Sequence, residues 1–336
     1  MIFRFLPKER AIAFPRSPFL LAQLGVTCPD DRAFSGDRVC IIGDMKTPCS
    51  YYGGKARIAT QIVPYIMAIP HTVYVEPFFG GGAVLYAKGK IDRGNNHYYR
   101  EAVNDLNKQL ITVWRVAREQ PEELARWIEL TPYSQEEHRE ARDIYRNPSE
   151  YSDLKVAWAT YIQCNMSFSN TIGGGWAVQV IHQNSVATWV NRAARLPECF
   201  ERLKEVHIGC EDALSFVKRF DCPHGLIYAD PPYPGTNQGH YDGYTLDDYQ
   251  ALCDALDACQ SSYILSNYHQ GIAPKSAQKC VEIETVMSAA NGRSQRTKDN
   301  IKRVEKLWIC DRSANIRTDL KAIAKMPSKQ MQLSLI

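Results

Sequence analysis

An apolar run that ends at two prolines limits the folds open to this chain more than any other feature. Leu226 to Tyr228 is an unbroken apolar, β-favouring stretch, which predicts a buried strand, and Pro231 and Pro232 end it. Asp230 and Tyr233 stand on either side of the prolines. Because open α/β sheets bind ligands at the carboxyl ends of their strands, the stretch predicts a binding site at that edge.

These residues also predict a kind of chemistry. Proline lacks an N–H group and holds the residue before it extended, so the carbonyls of the turn point in fixed directions. Asp230 and a proline carbonyl can together accept both hydrogens of an exocyclic amino group, while Tyr233 stacks on the ring that carries it. Taken alone, the stretch is equally compatible with an ordinary strand-to-loop turn.

Units of strand, polar turn and helix before this stretch predict a doubly wound α/β fold. Thr72–Glu76 is predicted to be a strand, followed by the loop Gly80–Gly82 and a helix from Ala83. The next strand leads to Asp105, and a helix is predicted over Leu110–Arg118. An acidic residue at that strand end is well placed to hold two ribose hydroxyls, and it can also cap the helix.

Similar units follow later in the chain. Asp212 comes directly after a predicted strand, where it can read an adenine amino group. The predicted elements are a strand over Val206–Ile208, a helix over Leu246–Ala258, a strand over Tyr263–Tyr268, and a closing strand pair over Val281–Met287 and Val304–Ile309.

Two glycines stand before the first helical pattern, which runs from Ile58 to Ile69. The stretch Tyr51–Lys55 that contains them lets the backbone approach a negatively charged group at the helix N-terminus. A plain glycine-containing helix entry is the alternative.

The alternation of strands and helices stops between residues 119 and 198. Predicted helices cover Pro121–Leu130, Gln135–Tyr145 and Leu154–Cys164. The polar, glycine-rich stretches Asn165–Asn170 and Gly173–Trp176 then predict a hairpin or mobile loop rather than core. We interpret the region as an inserted domain that contacts the substrate, with a purely structural helical insertion as the alternative.

Composition sets the remaining limits. The chain has 336 residues, a net charge of +3 and 11 cysteines without a Cys-x-x-Cys pair, which argues against a zinc ribbon and suits a reducing compartment. No apolar run approaches the roughly 20 residues that span a bilayer, so a soluble cytoplasmic protein is expected. The basic loop Asn291–Lys298 can lie on phosphates, or can simply be solvated.

Taken in order, five motifs resemble the DNA adenine-N6 methyltransferases of the Dam type (D12 class). The resemblance spans about Pro48 to Asp311. The motifs are Tyr52-Gly53-Gly54-Lys55, Glu76-Pro77-Phe78-x-Gly80-Gly81-Gly82, Asn104-Asp105-x-Asn107, Asp230-Pro231-Pro232-Tyr233 and Leu265-Ser266-Asn267-Tyr268.

The resemblance implies a Rossmann-like, S-adenosylmethionine-dependent α/β fold with a mostly helical target-recognition insert. It implies methyl transfer to N6 of a flipped adenine in double-stranded DNA, without a metal. The implied catalytic residues are Asp230, Pro231, Pro232 and Tyr233. The implied residues for S-adenosylmethionine are Tyr51, Lys55, Glu76, Pro77, Phe78, Gly80, Gly82, Asp105, Asp212 and Asp230. The expected DNA contacts are Asn165, Ser167, Asn170, Trp176, Arg293, Arg296 and Lys298.

The expected division of the chain follows from these motifs. We expect residues 45–118 and 199–312 to form the catalytic domain, residues 119–198 the target-recognition domain and residues 313–336 a tail. Residues 1–44 are expected to be a loosely packed extension, with an ordinary N-terminal subdomain as the alternative. The last five residues, Gln332 to Ile336, resemble peptides that bind the bacterial sliding clamp, and a simple disordered end is the alternative. RNA or glutamine methyltransferases, which share the Asp-Pro-Pro-Tyr type of motif, and a catalytically silent DNA-binding regulator are the rival functions.

Overall fold

Seven strands form one sheet in the part of the chain that the structure, a computed structural model, describes: residues 45–90, 99–178, 185–234, 243–268, 272–287 and 301–313. The strands are β1 (Val73–Glu76), β2 (Arg100–Asn104), β3 (Val206–Gly209), β4 (Gly225–Ala229), β5 (Ser262–Asn267), β6 (Lys279–Met287) and β7 (Ile301–Cys310). The helices are α1 (Ala59–Ala68), α2 (Ala83–Lys88), α3 (Lys108–Glu119), α4 (Pro121–Leu130), α5 (Gln135–Arg146), α6 (Asp153–Met166), α7 (Ser185–Ala193), α8 (Leu196–Arg202), α9 (Ala213–Phe220) and α10 (Leu246–Ala258).

The order of the strands is that of a doubly wound sheet. It reads β3-β2-β1-β4-β5-β7-β6, with β1 to β5 parallel and β7 antiparallel to both β5 and β6. The order reverses between β1 and β4, where Val75 pairs with Ile227. The carboxyl ends of these two strands therefore flank a crevice, which is where open α/β sheets hold their ligands. The predicted α/β, Rossmann-like fold is confirmed.

Helices cover both faces of the sheet, which explains why the central strand β4 is apolar and buried along its whole length. Alternate residues of each strand point to opposite faces. Tyr74 and Tyr228 face α1, α2 and the helical region, whereas Val75 and Ile227 face α9 and α10. All four side chains are buried.

The closing strand pair was predicted and is present, and it carries one unexpected side chain. Along β7 the residues Glu305, Leu307 and Ile309 alternate with more exposed ones and share the face of Tyr228. Glu305 is 0% exposed, so this strand brings a buried carboxyl group to that face of the sheet.

Between α3 and β3 the described part of the chain is mostly helical, as predicted, and α6 packs along α3 and α5. Serine caps begin two of these helices: Ser134 accepts from the Glu137 amide, and Ser152 from that of Lys155. The predicted boundary at residue 198 falls inside α8.

The stretch that we predicted to be loop rather than core is partly core. Asn165 and Met166 belong to the last turn of α6, and Met166 and Ser167 are buried. An antiparallel bridge between Ser167 and Trp176 closes the stretch into a small hairpin. The base of this hairpin is buried because the apolar side chains on both sides of it pack into the core.

None of the described helices is long and apolar enough to cross a membrane. The predictions for the N-terminal extension, for Arg293, Arg296 and Lys298, and for the tail that ends in Gln332–Ile336 lie outside the described residues.

Candidate active site

A cavity of about 720 Å³ opens at the carboxyl ends of β1 to β4. It is within the size range of small-molecule sites. Every catalytic and cofactor-binding residue expected from the sequence lines it. These residues are Tyr51, Lys55, Glu76, Pro77, Phe78, Gly80, Gly82, Asp105, Asp212, Asp230, Pro231, Pro232 and Tyr233.

The glycine loop after β1 is packed too tightly for side chains. Gly82 has φ +71°, a left-handed conformation that favours glycine. A Cβ atom on Gly81 would lie 2.7 Å from the carbonyl oxygen of Cys49, because residues 45–50 cross behind the loop. The Thr47 hydroxyl donates to the carbonyl of Gly81 from the same side. The loop is thereby held against the chain that precedes the first helix.

Asp105 joins the loop to the end of β2. Its carboxylate accepts from the Gly80 amide at 2.7 Å and from the Asn107 amide at 2.9 Å. Burial raises the pKa of Asp105 to about 6, although these two amides oppose the shift. The cap of α3 is Asn107, which accepts from the Leu110 amide, so the expectation that Asp105 can also cap this helix is wrong. Each carboxylate oxygen has a second lone pair, so Asp105 can still accept from a ligand hydroxyl.

Glu76, at the end of β1, is the second buried acid of the cavity. It is 2% exposed, and the Tyr74 hydroxyl donates to it at 2.8 Å. Burial raises the pKa of Glu76 to about 8, and the hydrogen bond from Tyr74 opposes that shift. Asp212, at the end of β3, differs because it is exposed and caps α9 through the Ser215 amide.

The turn after β4 carries a compact charged network. The Lys55 ammonium lies 2.6 Å from Asp230 Oδ1, and the Tyr233 hydroxyl lies 2.7 Å from the same oxygen. The Tyr233 ring packs edge-on against Tyr268, with centroids 4.7 Å apart. Burial would lower the pKa of Lys55, but Asp230 and then Glu305 raise it above its usual value. Lys55 is therefore a fixed positive charge beside the turn.

Sequence reasoning missed Glu305, which lies behind this turn. Its Oε1 is 2.6 Å from the Tyr233 hydroxyl and 3.7 Å from the Lys55 ammonium. The Ser266 hydroxyl also donates to it. The signal was available, because strand alternation gives Glu305 the parity of the buried Leu307. An acid at a core position requires polar partners.

The hairpin at the end of α6 changes the expectation for two DNA contacts. The Asn165 amide oxygen accepts from the Ser50 amide at 3.1 Å and from Arg192. Ser167 is 2% exposed and bonds to His138 at 2.9 Å, so its hydroxyl is not available to DNA and that prediction is corrected. Half-buried Asn170 and Trp176 lie nearer the surface. Phe168, whose amide donates to the Gly175 carbonyl at the base of the hairpin, is 55% exposed, and sequence reasoning had not singled it out.

A glycine loop at the switch point of a doubly wound sheet, facing an Asp-Pro-Pro-Tyr turn, defines a Rossmann-like methyltransferase. Residues 51–288 match the family described as D12 class N6 adenine-specific DNA methyltransferase. The match covers well over half of the chain, and the chain belongs to this family. The resemblance inferred from the five motifs is confirmed.

Among solved structures, the chain is similar to the rRNA methyltransferase AviRa from Streptomyces viridochromogenes. The two are 13% identical, the similarity covers 78% of this chain and 87% of that one, and the TM-score is 0.34. A search of curated proteins gives no match.

Proposed function

We propose that this protein transfers a methyl group from S-adenosylmethionine to N6 of an adenine in double-stranded DNA. The observation that carries the proposal is the position of Asp230, which lines one cavity together with the glycine loop of β1 and the acids that end β1, β2 and β3. Membership of the D12 family supports DNA adenine as the substrate.

The residues of the cavity fit the chemistry of the methyl donor. The Asp105 carboxylate is held in place by hydrogen bonds from two backbone amides, and it has lone pairs left to accept from the ribose hydroxyls. Glu76 to Gly82 would line the methionine and adenosine parts, and the exposed Asp212 would accept from the adenine amino group. S-adenosylmethionine supplies the methyl group on a positively charged sulfur, which provides the driving force for transfer.

The remaining residues would hold the target base. An adenine must leave the duplex stack before its N6 can be reached, at a cost of roughly a few kcal/mol. Asp230 and the Pro231 carbonyl would accept the two N6 hydrogens, which directs the nitrogen lone pair, and Tyr233 would pack on the base. This arrangement acts through orientation and fixed charges.

The wider DNA surface is a proposal of the same kind. The helical region 119–198 would recognise the target sequence through the hairpin that carries Asn170 and Trp176. The basic stretch that contains Arg293, Arg296 and Lys298 would contact phosphates, and such binding weakens as salt is added. Gln332 to Ile336 would contact a sliding clamp.

Transfer of a labelled methyl group to duplex DNA tests the function. We expect label in duplex DNA, at N6 of adenine, and none in RNA or protein. Asp230→Ala is expected to abolish transfer and to leave most DNA binding intact. Asp254→Ala, which removes an exposed acid of α10, is the matched control and should transfer normally. Full activity of Asp230→Ala, or label only in RNA or protein, would contradict the proposal.

A further inference from the structure

Glu305 lies outside the cavity lining but is attached to its reactive turn through a single oxygen. Oε1 accepts hydrogen bonds from the hydroxyls of Tyr233 and Ser266, and it lies 3.7 Å from the Lys55 ammonium. Oε2 is buried and has no hydrogen-bond partner among the described residues. The carboxyl group thus acts on the turn through Oε1, where three polar groups from three separate segments converge.

The hydrogen atoms of this network can be counted. The Tyr233 hydroxyl is 2.7 Å from Asp230 Oδ1 and 2.6 Å from Glu305 Oε1, and it has one hydrogen to donate. When both carboxyl groups are ionised, one of these two short oxygen–oxygen contacts contains no hydrogen. One added proton, on either carboxyl group, supplies the missing hydrogen bond. The network is therefore built to accept one proton.

Methylation of an amino group releases one proton. The N6 nitrogen forms a bond to the methyl carbon, the sulfur–carbon bond breaks, and its electron pair stays on sulfur as a neutral thioether. The nitrogen, left positively charged, then gives up one of its two hydrogens as a proton. Asp230 is the carboxylate at the turn that would hold N6.

We propose that Glu305 is a positioning residue that makes Asp230 the acceptor of the proton that N6 releases, by holding Tyr233 and Lys55 and by adding a second negative charge. The inference rests on the proposed function for the identity of the amine. Glu305 does not touch the substrate, and its effect reaches the reaction through its two neighbours.

The surroundings of the pair agree with this role. Burial raises the pKa of Asp230, Lys55 lowers it, and the Glu305 charge raises it again, so that it ends above its usual value. Facing the pair are Lys55, the Tyr228 hydroxyl on β4, Tyr233 and the Ser266 hydroxyl on β5. Ile283, opposite Glu305 on β6, is apolar and contributes no charge.

A titration of the protein alone tests the inference without reference to activity. Carbon-13 NMR of labelled aspartate side chains follows the Asp230 carboxyl group, assigned as the signal absent from Asp230→Asn. Glu305→Gln should move the Asp230 midpoint to lower pH, because a raising charge is removed. Tyr233→Phe should move it to higher pH, because a hydrogen bond to the ionised form is lost while Glu305 stays. Glu282→Gln, on the exposed side of neighbouring β6, should not move it.

An unchanged Asp230 midpoint in Glu305→Gln, or a shift to higher pH, would overturn the inference. If circular dichroism shows that Glu305→Gln is unfolded, the Tyr233→Phe titration is the test. An Asp230 midpoint that is unchanged or lower in Tyr233→Phe would also overturn the inference.

Kinetics provide the second measurement. Glu305→Gln should lower kcat about 10- to 100-fold and leave the KM values for DNA and donor within about twofold, because orientation and proton acceptance are lost but not ground-state contacts. The acid limb of its kcat–pH profile should move to lower pH. A kcat within about twofold of wild type and an unmoved limb would contradict the role. A wild-type protein that does not methylate DNA would refute the proposed function, while the titration would still decide the relation of Glu305 to Asp230.

Discussion

Two buried clusters of charged side chains lie on this sheet, and they are composed in opposite ways. At the turn after β4 two acids, Asp230 and Glu305, share one base, Lys55. Near the amino end of β2 one acid, Glu101, lies between two bases, Lys88 and Arg202. The side chains of the second cluster are at most 3% exposed, whereas Asp230 is 16% exposed and lines the cavity.

The difference separates a cluster that stabilises the fold from one suited to chemistry. Both oxygens of Glu101 accept hydrogen bonds, and its bases hold its pKa down at about 2 despite burial. Glu305 has one oxygen unpartnered among the described residues, and Asp230 has a raised pKa. An excess of acid next to a cavity leaves a place for a proton, and an excess of base around a single acid leaves none.

The largest expected effect is on the stability of the second cluster. Glu101→Gln should lower the free energy of unfolding by about 3–5 kcal/mol, because Lys88 and Arg202 remain buried without their counter-charge. In the wild type this contribution is present above pH 4.5 and is lost as the pH falls through about 2, since the folded-state pKa is depressed. Urea unfolding at neutral pH measures the loss. A change below about 1 kcal/mol would mean that this cluster is not structural.

Removing the single base of the first cluster should affect activity instead. Lys55→Gln should raise the activation free energy by about 2.7 kcal/mol, a 100-fold loss of kcat, because Asp230 and Glu305 then repel each other without compensation. Since Lys55 lowers the pKa of Asp230, the acid limb of the kcat–pH profile should move to higher pH, opposite to the effect of Glu305→Gln. Lys306→Gln is the control, because Lys306 follows Glu305 on the other face of β7. Equal losses in both lysine variants would remove the distinction.

The third and smaller effect is the pH dependence of stability that is caused by Glu76, another buried acid that lines the cavity. The pKa of Glu76 is raised by burial from 4.5 to about 8, so the stability that its neutral form contributes is present below pH 4.5 and lost as the pH rises through about 8. Between pH 5 and pH 6.5 the unfolding free energy of wild type should fall relative to that of Glu76→Gln by about 2 kcal/mol. Chemical unfolding at several pH values gives the difference, and a constant difference would show that Glu76 is ionised at little cost.

The smallest expected effect on the free energy of unfolding is that of an exposed ion pair. Lys90 and Glu205 lie 3.0 Å apart, with side chains 58% and 48% exposed. Lys90→Ala should change the free energy of unfolding by no more than about 0.5 kcal/mol, because water and salt screen the pair. Thermal or urea unfolding measures it beside Glu101→Gln. A loss as large as that of the buried cluster would refute burial as the cause.

The residues that could be predicted from the sequence are those whose signal is local. Asp230 to Tyr233 follow an apolar run, and Asp105 and Asp212 follow predicted strands, so each was expected at the same edge before the sheet order was known. Parallel strands with consistent polarity bring such ends together. The fold and the cavity lining were therefore predictable.

Residues whose role depends on a distant partner were not predictable in the same way. Glu101 and Arg202 are 101 positions apart, and no sequence pattern near either residue predicts their contact. Ser167 was expected on the surface because its neighbours are polar, but contacts with His138 and Gln163 bury it. Glu305 is an intermediate case. Its position in the alternating pattern of β7 predicted that it is buried, but it did not predict the contacts with Tyr233 and Lys55.

The crossing of residues 45–50 behind the glycine loop bears on how the protein can be shortened. Cys49 is 1% exposed and its carbonyl lies against Gly81, while the Ser50 amide reaches Asn165 on α6. The family match begins at residue 51, so trimming the gene to that match would delete the segment that packs behind the glycine loop. An expression version that starts at Met45 keeps each of these contacts.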